Sequence, residues 1–128
     1  MLYHACKSKI HRATVTEADL NYVGSITIDE DLLDAAGIKP FQYLNITNLS
    51  NGIAWRTYAM AGSRGKGDVC LNGPPAHHFK RGDLVIILAE VMIEEKEFET
   101  LDPIVIFVDE KNRITEVKHH TAVQHPRT

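Results

Sequence analysis

Short stretches of alternating apolar and polar residues run through this chain, broken every few positions by Gly, Pro, Asn or Asp. Ile10–Thr16 alternates as a strand, with Ile10, Arg12, Thr14 and Thr16 on one face and His11, Ala13 and Val15 on the other. Glu17–Asp19 reads as a turn, and Tyr22–Ile28 as a second strand interrupted by Gly24. Asp29 can cap a short helix over Glu30–Ala36, which Gly37 stops. The acidic first turn of that helix suits its dipole. Tyr43–Asn48 and Ile53–Ala61 read as a strand pair around the hairpin signal Asn51-Gly52. A Gly-rich loop at Gly62–Gly67 precedes a short strand at Asp68–Leu71. Asn72–Pro75 then turns into a helical turn at Ala76–Phe79, and Lys80–Asp83 is another turn. Leu84–Ile93 is the most buried strand by its composition, and Glu94–Asp102 is a solvated acidic segment. Pro103–Asp109 and Ile114–Lys118 are the last strands, around a turn at Glu110-Lys111-Asn112, and 119–128 is a His-rich frayed tail. About seven short strands with two brief helices predict a small β-barrel or sandwich, without internal repeat or linker.

Composition narrows this picture without changing it. With 128 residues the chain is expected to form one domain, 1–128. Ile, Val and Thr outnumber Leu and Ala, which favours strands. Roughly a quarter of the residues are Val, Ile, Leu or Phe, above the level at which chains stay disordered. A net charge of −3 and the lack of a basic block argue against a nucleic-acid binder. The longest apolar run, Leu84–Ala89, is too short to cross a membrane as a helix. Met1–Lys7 has neither an apolar stretch nor a cleavage pattern, so no signal peptide is expected, and the compartment expected is the cytoplasm. Cys6 and Cys70 then read as a reduced pair with no metal spacing. The loop Gly62–Gly67 lacks the Gly-Lys-Ser/Thr of a phosphate loop, since that slot reads Gly67-Asp68-Val69. His77-His78, His119-His120 and His125 do not fall at zinc spacings, so no metal is expected.

A linked set of short motifs carries more. Lys9–Thr16, Ala18–Asp29 with Gly24-Ser25 at its centre, Leu33–Gly37, Asn51-Gly52, Thr57-Tyr58-Ala59, Asn72-Gly73, Gly82–Ile87 and Phe107-Val108-Asp109 together resemble the bacterial pyruvoyl-dependent aspartate 1-decarboxylases. The resemblance covers nearly the whole chain at matching spacing. It implies a six- to seven-stranded double-psi β-barrel with short helices, assembled as a homotetramer with active sites between subunits. It also implies an inactive proenzyme that cuts itself at Gly24-Ser25, giving a β-chain of residues 1–24 and an α-chain of residues 25–128. Gly24 leaves its carbonyl open to close approach. The Ser25 hydroxyl can attack it and shift the acyl group from nitrogen to oxygen. β-Elimination and hydrolysis would then leave a covalent pyruvoyl group at position 25.

By the same resemblance, that group forms a Schiff base with the amine of L-aspartate and accepts electrons as CO2 leaves, giving β-alanine for pantothenate and coenzyme A synthesis. Tyr58 is carried over as the proton donor and Thr57 as a helper in self-cleavage. Asn72 and Gly73 would hold the pyruvoyl carbonyl or the intermediate, Lys9 would face a substrate carboxylate, and His11 and Tyr22 would line the site. An amino-acid substrate is the expected partner, with an accessory maturation protein kept open.

Two departures fall on the substrate side. The family normally has arginine at the position of Ala54, where it grips a carboxylate bidentately. Arg56 lies on the same strand face, about 6.8 Å further along, and is the candidate replacement. Pro74-Pro75 stands where the family has small residues, and removes two backbone N–H groups. Trp55 should face the other way. Two alternatives therefore stay open beside aspartate decarboxylation: a pyruvoyl decarboxylase for another small amino acid, and a non-catalytic barrel that binds a partner.

Overall fold

A single strand at the N-terminus organises the sheet. In the computed structural model, which describes residues 1–120, β1 (Leu2–Thr14) pairs antiparallel with β7 (Leu84–Glu94) and parallel with β8 (Ile104–Val108). Three residues later the same chain continues as β2 (Glu17–Asp19), parallel to β6 (Val69–Asn72). The other strands are β3 (Ser25–Asp29), β4 (Tyr43–Asn48), β5 (Ala54–Gly62) and β9 (Ile114–His119). Their order is β2-β6-β3-β5-β4-β7-β1-β8-β9. Because β1 and β2 are nearly continuous but lie six places apart in that order, the N-terminal segment closes the sheet on itself. Closure leaves little free edge to mispair. The mainly-β barrel expected from the sequence is thus what forms, with nine strands among the described residues rather than six or seven.

The core lies inside this closed sheet. Ile10, Ala13 and Val15 meet Ile26, Ile28, Leu44, Ile46, Ala59, Leu71, Phe79, Val85, Ile87 and Ile106, all fully buried. Alternation along β7 sends Val85, Ile87 and Ala89 inward and leaves Leu84, Ile86 and Leu88 half-buried outside. That strand is therefore central, with one face in the core and the other half-buried.

The one α-helix among the described residues, α1 (Glu30–Ala36), forms as its sequence dictates. Asp29 Oδ1 accepts the Asp31 N–H at 2.8 Å, a cap worth about 1 kcal/mol. Gly37 ends the helix at φ 67°, and Leu32, Leu33 and Ala36 pack on the sheet. Asp29 also accepts the N–H groups of Gly65 at 3.2 Å and Gly67 at 2.8 Å, so one buried carboxylate fixes both the helix and the Gly-rich loop.

Four local expectations are corrected. Arg12 sits at φ 61° in a bulge between Ile10 and Ala13, so Ile10 shares the core face with Ala13 and Val15 instead of with Arg12. Glu17–Asp19 is a short strand because β6 supplies its partner, not a turn. β3 begins at Ser25, and residues 20–24 form a turn outside it. The helical turn starts at Pro74, where φ is preset by the ring, and ends at His77, before Phe79. At the C-terminal end, His119 closes β9 with Nδ1 2.9 Å from Asp102 Oδ2, and the His120 N–H donates to Pro103 O at 2.9 Å. The rest of the expected tail, including His125, lies outside the described residues.

Candidate active site

Ser25 opens β3 between two partners. It is paired antiparallel with Asn72 of β6, while Ile26 pairs parallel with Ala59 of β5. Extending the parallel register by one and two residues sets Ser25 level with Tyr58 and Gly24 level with Thr57. Paired residues point to one side of a sheet. Ser25, Thr27, Asn72 and Tyr58 therefore share the outer face of the barrel, opposite Ile26, Leu71 and Ala59 in the core.

Ser25 is nevertheless only 3 % exposed. The Asn72 amide donates from Nδ2 to Ser25 Oγ at 3.2 Å and to Thr27 Oγ1 at 3.0 Å. A donor aimed at Oγ stabilises negative charge developing there. Among the described residues no acid or base hydrogen-bonds to Ser25 Oγ.

The turn before Ser25 is seated on Gly73. Gly73 has φ 79° and ψ −142°, a region open to glycine alone. A Cβ there would lie 2.8 Å from the Gly24 Cα, 3.0 Å from the Gly24 nitrogen and 3.1 Å from the Tyr22 oxygen. The Gly73 N–H donates to Asp19 O at 2.7 Å, and Asp19 also accepts from the N–H groups of Asn21 and Tyr22. Gly24 itself faces the Pro74 ring, with a Cβ position 3.7 Å from Pro74 Cδ. Tyr22 and Val23 stand out from the surface at 62 % and 73 % exposure.

Asn48 holds the far end of this wall. It is fully buried and donates from Nδ2 to His78 O at 2.9 Å and to Asp83 Oδ2 at 2.8 Å. Burial pushes the Asp83 carboxyl up. Hydrogen bonds from Asn48, the Lys80 N–H and Ser50 outweigh that and hold it below the ordinary aspartate range.

Tyr58 belongs to a row of rings. It stacks on Phe41 with centroids 6.1 Å apart and planes at 24°, and has the tilted Tyr43 ring 6.2 Å away. The Arg56 guanidinium lies over the Tyr43 ring, its Cζ 4.6 Å from the centroid. Ala54 pairs with Thr47 on the same face, so that pair carries no cation. Trp55 faces the core side, as alternation predicts, with its ring 5.8 Å from that of His78. Thr57 is buried on the core side of β5.

Lys9 and His11 do not join this group within one chain. Both lie on β1, and β5, β4 and β7 separate β1 from β3 in the sheet. The His11 ring meets Phe107 edge-on at 5.4 Å. Phe41 and Tyr43 escaped the sequence reading. The Asn51-Gly52 hairpin register could have placed Tyr43 opposite Tyr58, but nothing local announces that Phe41 turns at φ 73°.

Other chemistry is weak. Burial pushes both thiols up, and the nearby Lys9 for Cys6 and the Thr16 hydroxyl for Cys70 only partly offset this. Both cysteines are free. Among the described residues no three His, Cys, Asp or Glu side chains gather as a metal site. No described helix is long and apolar enough to cross a membrane.

The chain is similar to known proteins over most of its length. The aspartate decarboxylase family model matches residues 1–115. The chain is similar to an aspartate 1-decarboxylase of Carboxydothermus hydrogenoformans, with 54 % identity over 112 residues and 88 % of each chain covered. It is 54 % identical over 109 residues to one from Neisseria meningitidis, covering 85 % of this chain and 86 % of the relative. A third, from Caldicellulosiruptor saccharolyticus, is 49 % identical over 119 residues, 93 % of each chain.

Proposed function

Because the chain belongs to the aspartate decarboxylase family, we propose that it cuts itself between Gly24 and Ser25 and then decarboxylates L-aspartate to β-alanine and CO2. The observation that carries this is the setting of Ser25. It is buried at the start of β3, has the Asn72 amide on its Oγ, and follows a turn that fits only against a glycine at 73.

Self-cleavage follows from these groups. Ser25 Oγ attacks the Gly24 carbonyl carbon, and the Gly24–Ser25 C–N bond breaks as the acyl group moves to oxygen. Asn72 stabilises Oγ as it gains charge, and by family resemblance the Thr57 hydroxyl would assist by hydrogen-bonding near the Gly24 carbonyl. Loss of the Ser25 α-proton then expels the Gly24 carboxylate. Water replaces the nitrogen at position 25 and ammonia leaves.

The residues present fit a pyruvoyl group at that position, since an amide donor already meets the Ser25 side chain. Once formed, the group supplies a ketone that binds the substrate amine and draws off the electron pair left by CO2. Asn72 and Gly73 would hold it. Tyr58, kept in place by Phe41 and Tyr43, delivers a proton to the substrate α-carbon. Arg56 takes the substrate side-chain carboxylate in place of an arginine at 54. Lys9 and His11 reach the site from a second copy, with Tyr22 at the junction, which calls for an oligomer and accords with a homotetramer. The product serves pantothenate and coenzyme A synthesis, with the cytoplasm as the working compartment. An accessory maturation protein is an addition that purified protein will reveal or dispense with.

Ala54 opposite Thr47, with Pro74-Pro75 beside the site, favours a second reading, a pyruvoyl decarboxylase for another small amino acid. Intact-mass analysis after warm incubation, with Ser25→Ala alongside, tests the first step. The expected result is two fragments, the larger lighter than its serine form by one ammonia. A chain that stays whole, with or without cell extract, refutes the reading and favours a non-catalytic barrel. Profiling the cut enzyme across amino acids then separates the two substrates.

A further inference from the structure

We infer that Tyr43 is a positioning residue for substrate recognition: its ring is the shelf that holds the Arg56 guanidinium beside Tyr58, where it meets a substrate carboxylate. This rests on the reading above, in which Arg56 takes that carboxylate.

The hairpin sets Tyr43 opposite Tyr58 and Asn45 opposite Arg56, all on the outer face. Arg56 does not extend over its own partner Asn45. It leans along the strand to lie 4.6 Å from the Tyr43 centroid, at the level of Tyr58. Its strand partner Asn45 is turned to β7 instead, where its Nδ2 donates to Glu90 Oε2 at 3.0 Å. Among the described residues no carboxylate lies within salt-bridge distance of Arg56, so a flexible cation is held by a ring face alone. A guanidinium held in this way keeps its donor fork free and has less freedom to lose when a carboxylate arrives.

The rest of the row shows strain of the kind that collects at functional sites. Phe41 is a bulky residue at φ 73°, a conformation unfavourable for it, and it remains 70 % exposed. What that conformation achieves is a ring stacked on Tyr58. Phe41 and Tyr43 thus both pack near the proton donor, and Tyr43 alone also carries the cation. The arrangement assigns substrates with a carboxylate beyond the α-carbon, and Tyr43 sets how tightly that carboxylate is held.

The test uses the self-cleaved enzyme, with Tyr43→Ala, Tyr43→Phe, Arg56→Ala and the Tyr43→Ala/Arg56→Ala double variant. Calorimetry measures succinate, a dicarboxylate that cannot react, against butanoate, and kinetics give KM and kcat for aspartate. Complete self-cleavage of each variant by mass verifies folding. Arg56→Ala should abolish the preference for succinate over butanoate. Tyr43→Ala should weaken succinate and raise KM about 2- to 10-fold. Tyr43→Phe should stay within about twofold of the parent, since the ring face is kept. In succinate affinity Tyr43→Ala should add nothing to Arg56→Ala, because there it acts through that residue, while kcat also reads its contact with Tyr58. Additive effects on succinate affinity, parental binding in Tyr43→Ala, or equal loss in Tyr43→Phe would overturn the role of Tyr43 alone. Parental succinate preference in Arg56→Ala would instead remove the carboxylate reading of Arg56, and the inference with it.

Discussion

Gly73→Ala puts the seat of the cleavage turn to a direct test. A methyl group at this position would sit 2.8 Å from the Gly24 Cα and 3.0 Å from its nitrogen, closer than van der Waals contact allows. Both neighbours are backbone, so no side-chain rotation relieves the clash. The backbone at φ 79° and ψ −142° adds about 1–3 kcal/mol for any residue with a Cβ. Relief requires the turn to lift, which gives up the Gly73 N–H bond to Asp19 O, worth about 1 kcal/mol. Together these disfavour the seated turn by about 2–4 kcal/mol, or roughly 30- to 1,000-fold in the population ready to cut. The assay is the rate of appearance of the two fragments by intact mass. Gly52→Ala is the control, since Gly52 also has positive φ, 74°, but has nothing within 4 Å of its Cβ position. It should lose some stability and keep its cleavage rate. Cleavage of Gly73→Ala at the parental rate would refute the reasoning, as would equal slowing in both variants.

Two further predictions concern the frame around the site. Ser8 Oγ is buried with no partner among the described residues, so Ser8→Ala should stabilise the fold by about 1 kcal/mol. Thermal unfolding checks this, and a lower Tm would mean that the hydroxyl is bonded after all. Asp83 has its folded pKa held below the unfolded value, so its contribution is present above the unfolded pKa and disappears as pH falls through the folded one. The stability gap between the parent and Asp83→Asn, from urea unfolding, should hold steady near neutrality. It should shrink only below the ordinary aspartate pKa of about 3.9. A gap that closes at higher pH would contradict this.

How much of this was legible depends on how local the cause was. The helix Glu30–Ala36 matched residue for residue because its cap, acidic first turn and stopping glycine all lie within nine positions. The β4–β5 hairpin matched to within a residue, because Asn51-Gly52 fixes it locally. Glu17–Asp19 was misjudged because its strand character comes entirely from β6, some fifty residues away. The bulge at Arg12 escaped because a strict two-residue alternation cannot show an inserted residue. At the site, the adjacency of Ser25 and Asn72 was reached through resemblance, and a register supplies its physical basis. The separation of Lys9 and His11 from Ser25 follows from strand order, which no short motif encodes.

The near-continuity of β1 and β2 has a consequence for the lifetime of the protein. A cut after Gly24 falls in a turn and severs no strand pairing. The segment it releases spans the barrel, joining β7 and β8 on one side to β6 on the other. On the proposed self-cleavage the molecule would then be two chains held together by packing and hydrogen bonds alone. Unfolding would become dissociation, and refolding would require a 24-residue segment carrying β1 and β2 to find its companion at a rate that falls with dilution. On that reading folding is finished before the cut, and the lifetime of the cut enzyme would be set by how slowly it opens.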